Sequence, residues 1–132
     1  MHHSANRLLG LIVGAMFVLL GGFGFLATTD LGFFSQDGAL FLGLFLLNPF
    51  QNVLHILFGA ALVMAALSNL KASALINSVA GALLLVLGLV GLFLVGSPQN
   101  LLALNSADNV LHFGAAALLL AAGLGADTAK RE

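Results

Sequence analysis

The sequence predicts an all-α membrane protein, a bundle of four transmembrane helices made of two parallel helical-hairpin repeats. Three observations lead to this prediction. The 132 residues are 61% hydrophobic and only 7% charged, with a mean hydropathy of +1.12. The apolar residues fall into four runs that are each long enough to cross a bilayer. An Asn-Val-Leu-His string occurs twice, once at Asn52 and again at Asn109.

The composition indicates that lipid, and not water, surrounds most of the protein surface. It also excludes several classes of protein. A soluble domain carries about 25% charged residues, so nine charged side chains cannot cover a water-exposed surface. The lipid bilayer is therefore the expected partner of most of this surface. A net charge of −1 gives no basis for binding nucleic acid. The lack of cysteine excludes disulfides, thiolate metal sites, iron–sulfur clusters and covalently attached haem.

The four runs define a single integral membrane domain over residues 1–132, with one repeat at about 7–70 and the other at about 74–126. The first run could be mistaken for a signal peptide, but as a helix it would extend about 30 Å, enough to cross a bilayer. The first run also matches the third run of the same chain, which a cleaved signal peptide would not be expected to do. Ser68–Ser73 is predicted to be a tight turn. The predicted spans are Leu8–Leu26, Asn52–Leu67 with a helix start near Pro49, Ala74–Val95, and Ser106–Leu124.

The apolar segment Gly38–Leu47 lies between the first two spans and has too few residues to cross a bilayer. We expect a short interfacial helix there, with a re-entrant cap as the alternative. The basic residues predict the orientation, because cytoplasmic loops are enriched in Lys and Arg. Arg7, Lys71, Lys130 and Arg131 all fall on one side of the four spans. Both termini are therefore expected in the cytoplasm.

The two repeats match in both of their spans. The segments that begin at Asn48 and Asn105 share nine of twenty positions. Glycines of the first and third spans match at a constant spacing, and small residues allow membrane helices to pack closely. Parallel repeats of this kind are related by a pseudo-twofold axis along the membrane normal. The predicted packing glycines are Gly14, Gly21 and Gly24 in the first span and Gly81, Gly88 and Gly91 in the third.

Each Asn/His motif starts with the signature of a helix N-terminus. Asn48 and Asn105 are predicted N-caps, Pro49 fits the first helical position, and Gln51 and Asp108 fit the third position of a capping box. Capping satisfies backbone N–H groups that find little water in a membrane. This interpretation requires no further function of these residues.

Capping does not account for two pairs of polar residues that lie deeper in the helices. Asn52 with His55, and Asn109 with His112, are spaced three residues apart, so each pair shares a helix face. Polar residues at this depth are expected to face the bundle interior. The pseudo-twofold axis would bring the two histidines together near the outer face. These four residues and Asp108 form the candidate ligand site or polar cluster.

Several roles are open for this cluster. The simplest is hydrogen bonding between helices, in which each Asn orients its own His. Alternatives are a divalent metal held by His55 and His112 with Asn and Asp108 nearby, bis-histidine haem, a proton relay or pH sensor, and a small lipophilic ligand such as a quinone. Haem is disfavoured because the outer half has no Lys or Arg for its propionates. Cofactor identity is unknown, and no cofactor is the leading expectation.

These motifs resemble a domain-of-unknown-function family of small four-helix membrane proteins that is common in actinobacteria and other bacteria. The resemblance runs from about Arg7 to Leu124 and rests on the two Asn-Val-Leu-His strings, with Gly59 after the first. It implies a bacterial plasma-membrane protein and supplies no activity. No hydrolase constellation is visible. The expected function is therefore non-enzymatic, in a free-standing structural protein or an accessory subunit with membrane-protein partners or copies of itself.

Overall fold

Four long helices dominate the computed structural model, which describes residues 4–128. All four are long and apolar enough to cross a membrane. Their lengths of 20 to 25 residues correspond to about 30–37 Å, which matches the hydrocarbon thickness of a bilayer. The predicted membrane-spanning four-helix fold is confirmed. The helices are α1 (Ala5–Ala27), α2 (Pro49–Ser68), α3 (Leu70–Leu94) and α4 (Ser106–Leu120), and α4 continues into one π-helical turn, Ala121–Gly125.

The prediction of an interfacial helix over Gly38–Leu47 is wrong. The segment forms a two-stranded antiparallel hairpin, with β1 (Ala39–Phe41) paired to β2 (Phe45–Leu47). Leu42 and Gly43 both have positive φ in the turn, and Gly38 has positive φ just before β1. Glycine is among the weakest helix formers and adopts positive φ without steric cost, so Gly38 and Gly43 favour the hairpin.

The predicted tight turn over Ser68–Ser73 is also wrong. Only Asn69 separates α2 from α3, and Lys71 lies in the first turn of α3. The Asn69 side chain accepts a hydrogen bond from the Ala72 N–H, so one residue ends α2 and caps α3. As a consequence, α3 begins at Leu70, earlier than the predicted span. The first helix also begins earlier than predicted, at Ala5, with Ser4 as its N-cap. Lys130 and Arg131, on which the predicted orientation also depends, lie outside the described residues.

The hydrophobic core lies between all four helices, at the middle of the bundle. Phe17 of α1 and Leu84 of α3 are its largest fully buried apolar side chains from those helices. Polar layers lie on either side of this core, one under the α1–α2 and α3–α4 loops and one near the chain termini. The core residues are Val13, Phe17, Leu62, Ala80, Leu84, Ala115, Ala116 and Leu119.

Candidate functional site

The two motif histidines meet in the interior of the bundle. The Nε2 atoms of His55 on α2 and His112 on α4 are 3.4 Å apart. Both side chains are buried, with 3% and 0% of their surface exposed. The ring planes are inclined at 57°. The repeat predicted that these histidines approach each other, and the structure places them in direct contact.

This contact restricts the protonation of the neutral pair. One Nε2 must carry the proton and the other must accept it, so the two rings hold opposite tautomers. The donor ring then has a bare Nδ1, whereas the acceptor ring carries an N–H at Nδ1. Neither Nδ1 has a hydrogen-bond partner among the described residues. The hydrogen-bonding groups of the pair are therefore satisfied at the two Nε2 atoms and unsatisfied at the two Nδ1 atoms.

Phe17 of α1 packs against both imidazoles. Its ring centroid lies 5.2 Å from that of His55 and 6.5 Å from that of His112, and it is nearly parallel to the His112 ring. Phe17 itself is fully buried. A haem macrocycle between the two histidines would have to displace Phe17 and separate rings that already touch. The arrangement does not fit haem.

Asn52 and Asn109 do not orient the histidines of their own motifs in the described structure. The Asn52 Nδ2 donates to the Thr28 hydroxyl at 3.0 Å, across the α1–α2 interface. The Asn52 Oδ1 faces Gly24, where a Cβ would collide with it, and the Asn109 Oδ1 faces Gly91 in the same way. Both oxygens lack a hydrogen-bond donor among residues 4–128. Each amide is thus packed against a glycine of the neighbouring helix.

The helix caps link the α1–α2 loop and the α3–α4 loop to each other. Asn48 Oδ1 accepts from the Gln51 N–H, and Asn105 Oδ1 accepts from the Asp108 N–H. The Asn48 Nδ2 donates to the Leu101 carbonyl at 2.7 Å, and the Asn105 Nδ2 donates to the Leu44 carbonyl at 2.8 Å. Each cap therefore stabilises its own helix and holds the loop of the other hairpin.

Gln51 and Asp108 differ in their roles. Asp108 completes a capping box, because its Oδ2 accepts from the Asn105 N–H at 2.9 Å. In the amide orientation that satisfies its neighbours, the Gln51 side chain instead donates to the Leu46 and Leu102 carbonyls. Asp108 is fully buried beside Leu46 and Gln51.

Comparison with known proteins gives a family. A family model described as "Domain of unknown function (DUF4383)" matches residues 7–125. The chain belongs to the DUF4383 family. No curated protein and no solved structure shows significant similarity to it. Both Asn/His motifs of this DUF4383 chain lie within the matched region.

The six predicted packing glycines of this DUF4383 chain all lie at helix contacts. A Cβ on Gly14 would come within 2.8 Å of the Gly59 carbonyl oxygen, and one on Gly21 would meet Asn52 and Ile56. In the second hairpin, a Cβ on Gly81 would meet Leu120 and one on Gly88 would meet Phe113. Gly24 and Gly91 face the two motif asparagines. Backbones in both hairpins thus approach more closely than a side chain would permit.

A second polar layer at the opposite end of the bundle was not predicted from the sequence. Asp127 accepts hydrogen bonds from the Ser4 hydroxyl and the Asn6 N–H, so it caps α1 from the other end of the chain. The Asn77 side chain donates to the Asn6 carbonyl at 2.9 Å, and the Arg7 Nε donates to the Ala66 carbonyl. The signal was available, since Asn77 is a polar residue inside an apolar span.

Proposed function

We propose that this DUF4383 chain is a non-enzymatic protein of the bacterial plasma membrane, in which the Asn/His layer holds the two hairpins together. The observation that supports this most strongly is the His55–His112 contact, which joins α2 of one hairpin to α4 of the other. The hydrogen bonds that Asn48 and Asn105 each donate to the loop of the other hairpin also hold the two hairpins together. Interhelical hydrogen bonds in membranes contribute about 0.6–2 kcal/mol each, enough to fix one arrangement of two hairpins.

We further propose that the chain serves as an accessory subunit that packs against a transmembrane helix of another protein. An apolar groove of about 810 Å³ runs along α1 and is lined by Met16, Leu19 and Phe23. Phe41, Leu42 and Phe45 of the β-hairpin also line this groove. The corresponding groove between α2 and α3 lacks this hairpin and has a volume of about 300 Å³. The face of the bundle that includes the hairpin thus has the larger groove by volume.

Photo-crosslinking in native membranes tests the accessory role. A photoreactive amino acid would replace Leu19 or Phe23 in the groove, and Phe93 would serve as the control because its side chain is 84% exposed on α3. The proposal predicts one discrete protein adduct from both groove positions and lipid adducts alone from Phe93. An adduct with twice the 13.5 kDa chain mass would indicate a second copy of the chain instead. Lipid adducts alone at all three positions would contradict the accessory role.

A further inference from the structure

We propose that the groove between the first turns of α3 and the π-helical turn after α4 binds an anionic phospholipid, with the lipid phosphate at Lys71. This inference depends neither on the structural role of the Asn/His layer nor on the accessory partner. The groove has a volume of about 430 Å³. Its lining consists of Lys71, Ala74, Leu75, Ser78, Gly123 and Leu124. The grooves along α1 and between α2 and α3 are lined by apolar residues alone, so the lysine distinguishes this groove from them.

Small buried residues and exposed leucines line this groove together. Gly123 packs so closely on α3 that a Cβ there would come within 2.7 Å of the Ser78 nitrogen and 3.0 Å of the Ala74 carbonyl oxygen. Leu75 and Leu124 are 62% and 67% exposed, so they belong to the surface that faces the lipid. A π-helical turn is a departure from the α-helix that is frequent at functional sites. The lining thus offers an apolar surface to a hydrocarbon chain.

The positions of Lys71 and Ser78 on α3 give the groove a polar end and an apolar end. Lys71 is the second residue of α3, so it lies at the end of the membrane span, at the level of the lipid headgroups. Ser78 follows seven residues later, which places it about 10 Å further along the helix axis. A phospholipid with its phosphate at Lys71 would therefore lay an acyl chain past Leu75 towards Ser78.

The charge of the lining selects an anionic lipid. The Ser78 hydroxyl donates to the Ala74 carbonyl within α3 at 2.8 Å, so the Lys71 ammonium is the polar group that remains for a ligand. Lys71 forms no ion pair with another residue of the described range 4–128. The Asp127 carboxylate, two residues after the π-helical turn, is directed to the start of α1, where it accepts two backbone and side-chain hydrogen bonds. Basic pockets between transmembrane helices bind anionic headgroups on the cytoplasmic side of a membrane.

Tryptophan fluorescence tests the proposal, because the chain contains no tryptophan of its own. Leu75→Trp keeps an apolar side chain at an exposed position of the groove. The full chain would be reconstituted in vesicles of phosphatidylcholine and phosphatidylglycerol, with quenching bromine atoms on the acyl chains of one lipid or the other. The expected preference for phosphatidylglycerol is about fivefold, as for one lysine at an anionic surface. Met64→Trp is the matched control and should show no preference, because Met64 is exposed on α2 at a similar distance from the α2–α3 junction and lies outside the groove.

Charge variants in the Leu75→Trp background extend the test. Lys71→Gln should abolish the preference for phosphatidylglycerol. Arg7→Gln should leave it unchanged, because Arg7 lies near the same end of the bundle, where it bonds to the Ala66 carbonyl, but does not line the groove. Equal quenching by the two lipids at Leu75→Trp, the same preference at Met64→Trp, or a preference that survives Lys71→Gln would overturn the proposal. Equal losses from Arg7→Gln and Lys71→Gln would do so in favour of a general attraction between the basic surface and anionic lipid.

Native mass spectrometry of the parent chain in detergent needs no variant. After removal of bound lipid and incubation with equal amounts of the two phospholipids, the proposal predicts one retained phosphatidylglycerol per chain. Retention of neither lipid, or of both equally, would contradict a specific anionic site.

Discussion

Asn105, the N-cap of α4, donates from its Nδ2 to the carbonyl oxygen of Leu44 in the β-hairpin loop of the other half of the chain. Asn48, the N-cap of α2, makes the equivalent bond to Leu101. The donors Asn48 and Asn105 are separated along the chain by the same number of residues as the two sequence motifs. The same is true of the acceptors Leu44 and Leu101. The reciprocal bonds favour Asn over Asp at the start of both motifs, since an Asp carboxylate could cap the helix but has no N–H to donate. The repeat organisation itself stays a prediction.

This dual role of the caps predicts the effect of Asn48→Asp. The new carboxylate retains an oxygen for the Gln51 N–H, but its second oxygen would face the carbonyls of Ser35 and Leu101. A buried acceptor left without a donor costs about 1–3 kcal/mol. We expect a corresponding loss in the free energy of unfolding, measured by denaturant titration in detergent micelles. Asn48→Asp with wild-type stability would show that the cross-loop bonds contribute nothing.

The contacts between glycine and asparagine predict a substitution and its rescue. Gly91→Ala should destabilise the protein by about 1–3 kcal/mol, because its Cβ would collide with the Asn109 amide. Asn109→Ala removes that amide, so the double variant should recover most of the lost stability. Gly22→Ala is the matched control, because a Cβ at that position would have no atom within 4 Å. Equal effects of Gly91→Ala and Gly22→Ala would contradict the proposed close contact.

The bond between Asn52 and Thr28 predicts a difference between the two hairpins. Thr28→Val keeps the side-chain shape and removes the acceptor of the Asn52 Nδ2, a buried bond of 3.0 Å. The expected loss is about 1–3 kcal/mol in the free energy of unfolding, since the amide would be left without its partner. Val95, which aligns with Thr28 when the first and third spans are matched, already lacks a hydroxyl. Val95→Ala should therefore change stability less, and the opposite order would contradict this assignment.

The orientation prediction can be checked by chemical labelling, because the chain has no native cysteine. A single cysteine at Asp37, which is exposed in the α1–α2 loop, should react with a membrane-impermeant maleimide added to intact cells. A single cysteine at Lys71, exposed near the α2–α3 junction, should react only after the cells are permeabilised. The reverse pattern would place the basic residues outside and contradict the orientation.

Hydropathy and capping patterns were sufficient to predict the four spans and the starts of α2 and α4. Long apolar runs have few alternatives to a transmembrane helix, and Asn48-Pro49 and Asn105-Ser106 are strong local start signals. The Gly38–Leu47 hairpin was not predicted, because ten apolar residues have the same hydropathy in a helix or a strand. Its conformation depends on Gly38 and Gly43 adopting positive φ, and the sequence pattern does not report that directly.

Only part of the candidate site was predicted from the sequence, because several of its contacts join residues that are far apart along the chain. The repeat implied that His55 and His112 approach each other, because symmetry places equivalent residues at one depth. The partners of Asn52 are Thr28 and Gly24, which lie at the C-terminal end of α1, on the other side of the whole α1–α2 loop. Nothing in the local pattern of the motif specifies the rotation of α1 that brings them there. The same applies to Asp127, which caps α1 from the opposite end of the chain.

The central claim is that His55 and His112 join the two hairpins, and a double-mutant cycle tests it most directly. The free energy of unfolding would be measured in detergent, without added metal, for the parent chain, His55→Ala, His112→Ala and the double variant. The direct contact predicts a coupling energy of about 0.6–2 kcal/mol, so the double variant should lose less stability than the sum of the single losses. Strictly additive losses would mean that the two imidazoles act independently and would contradict the account.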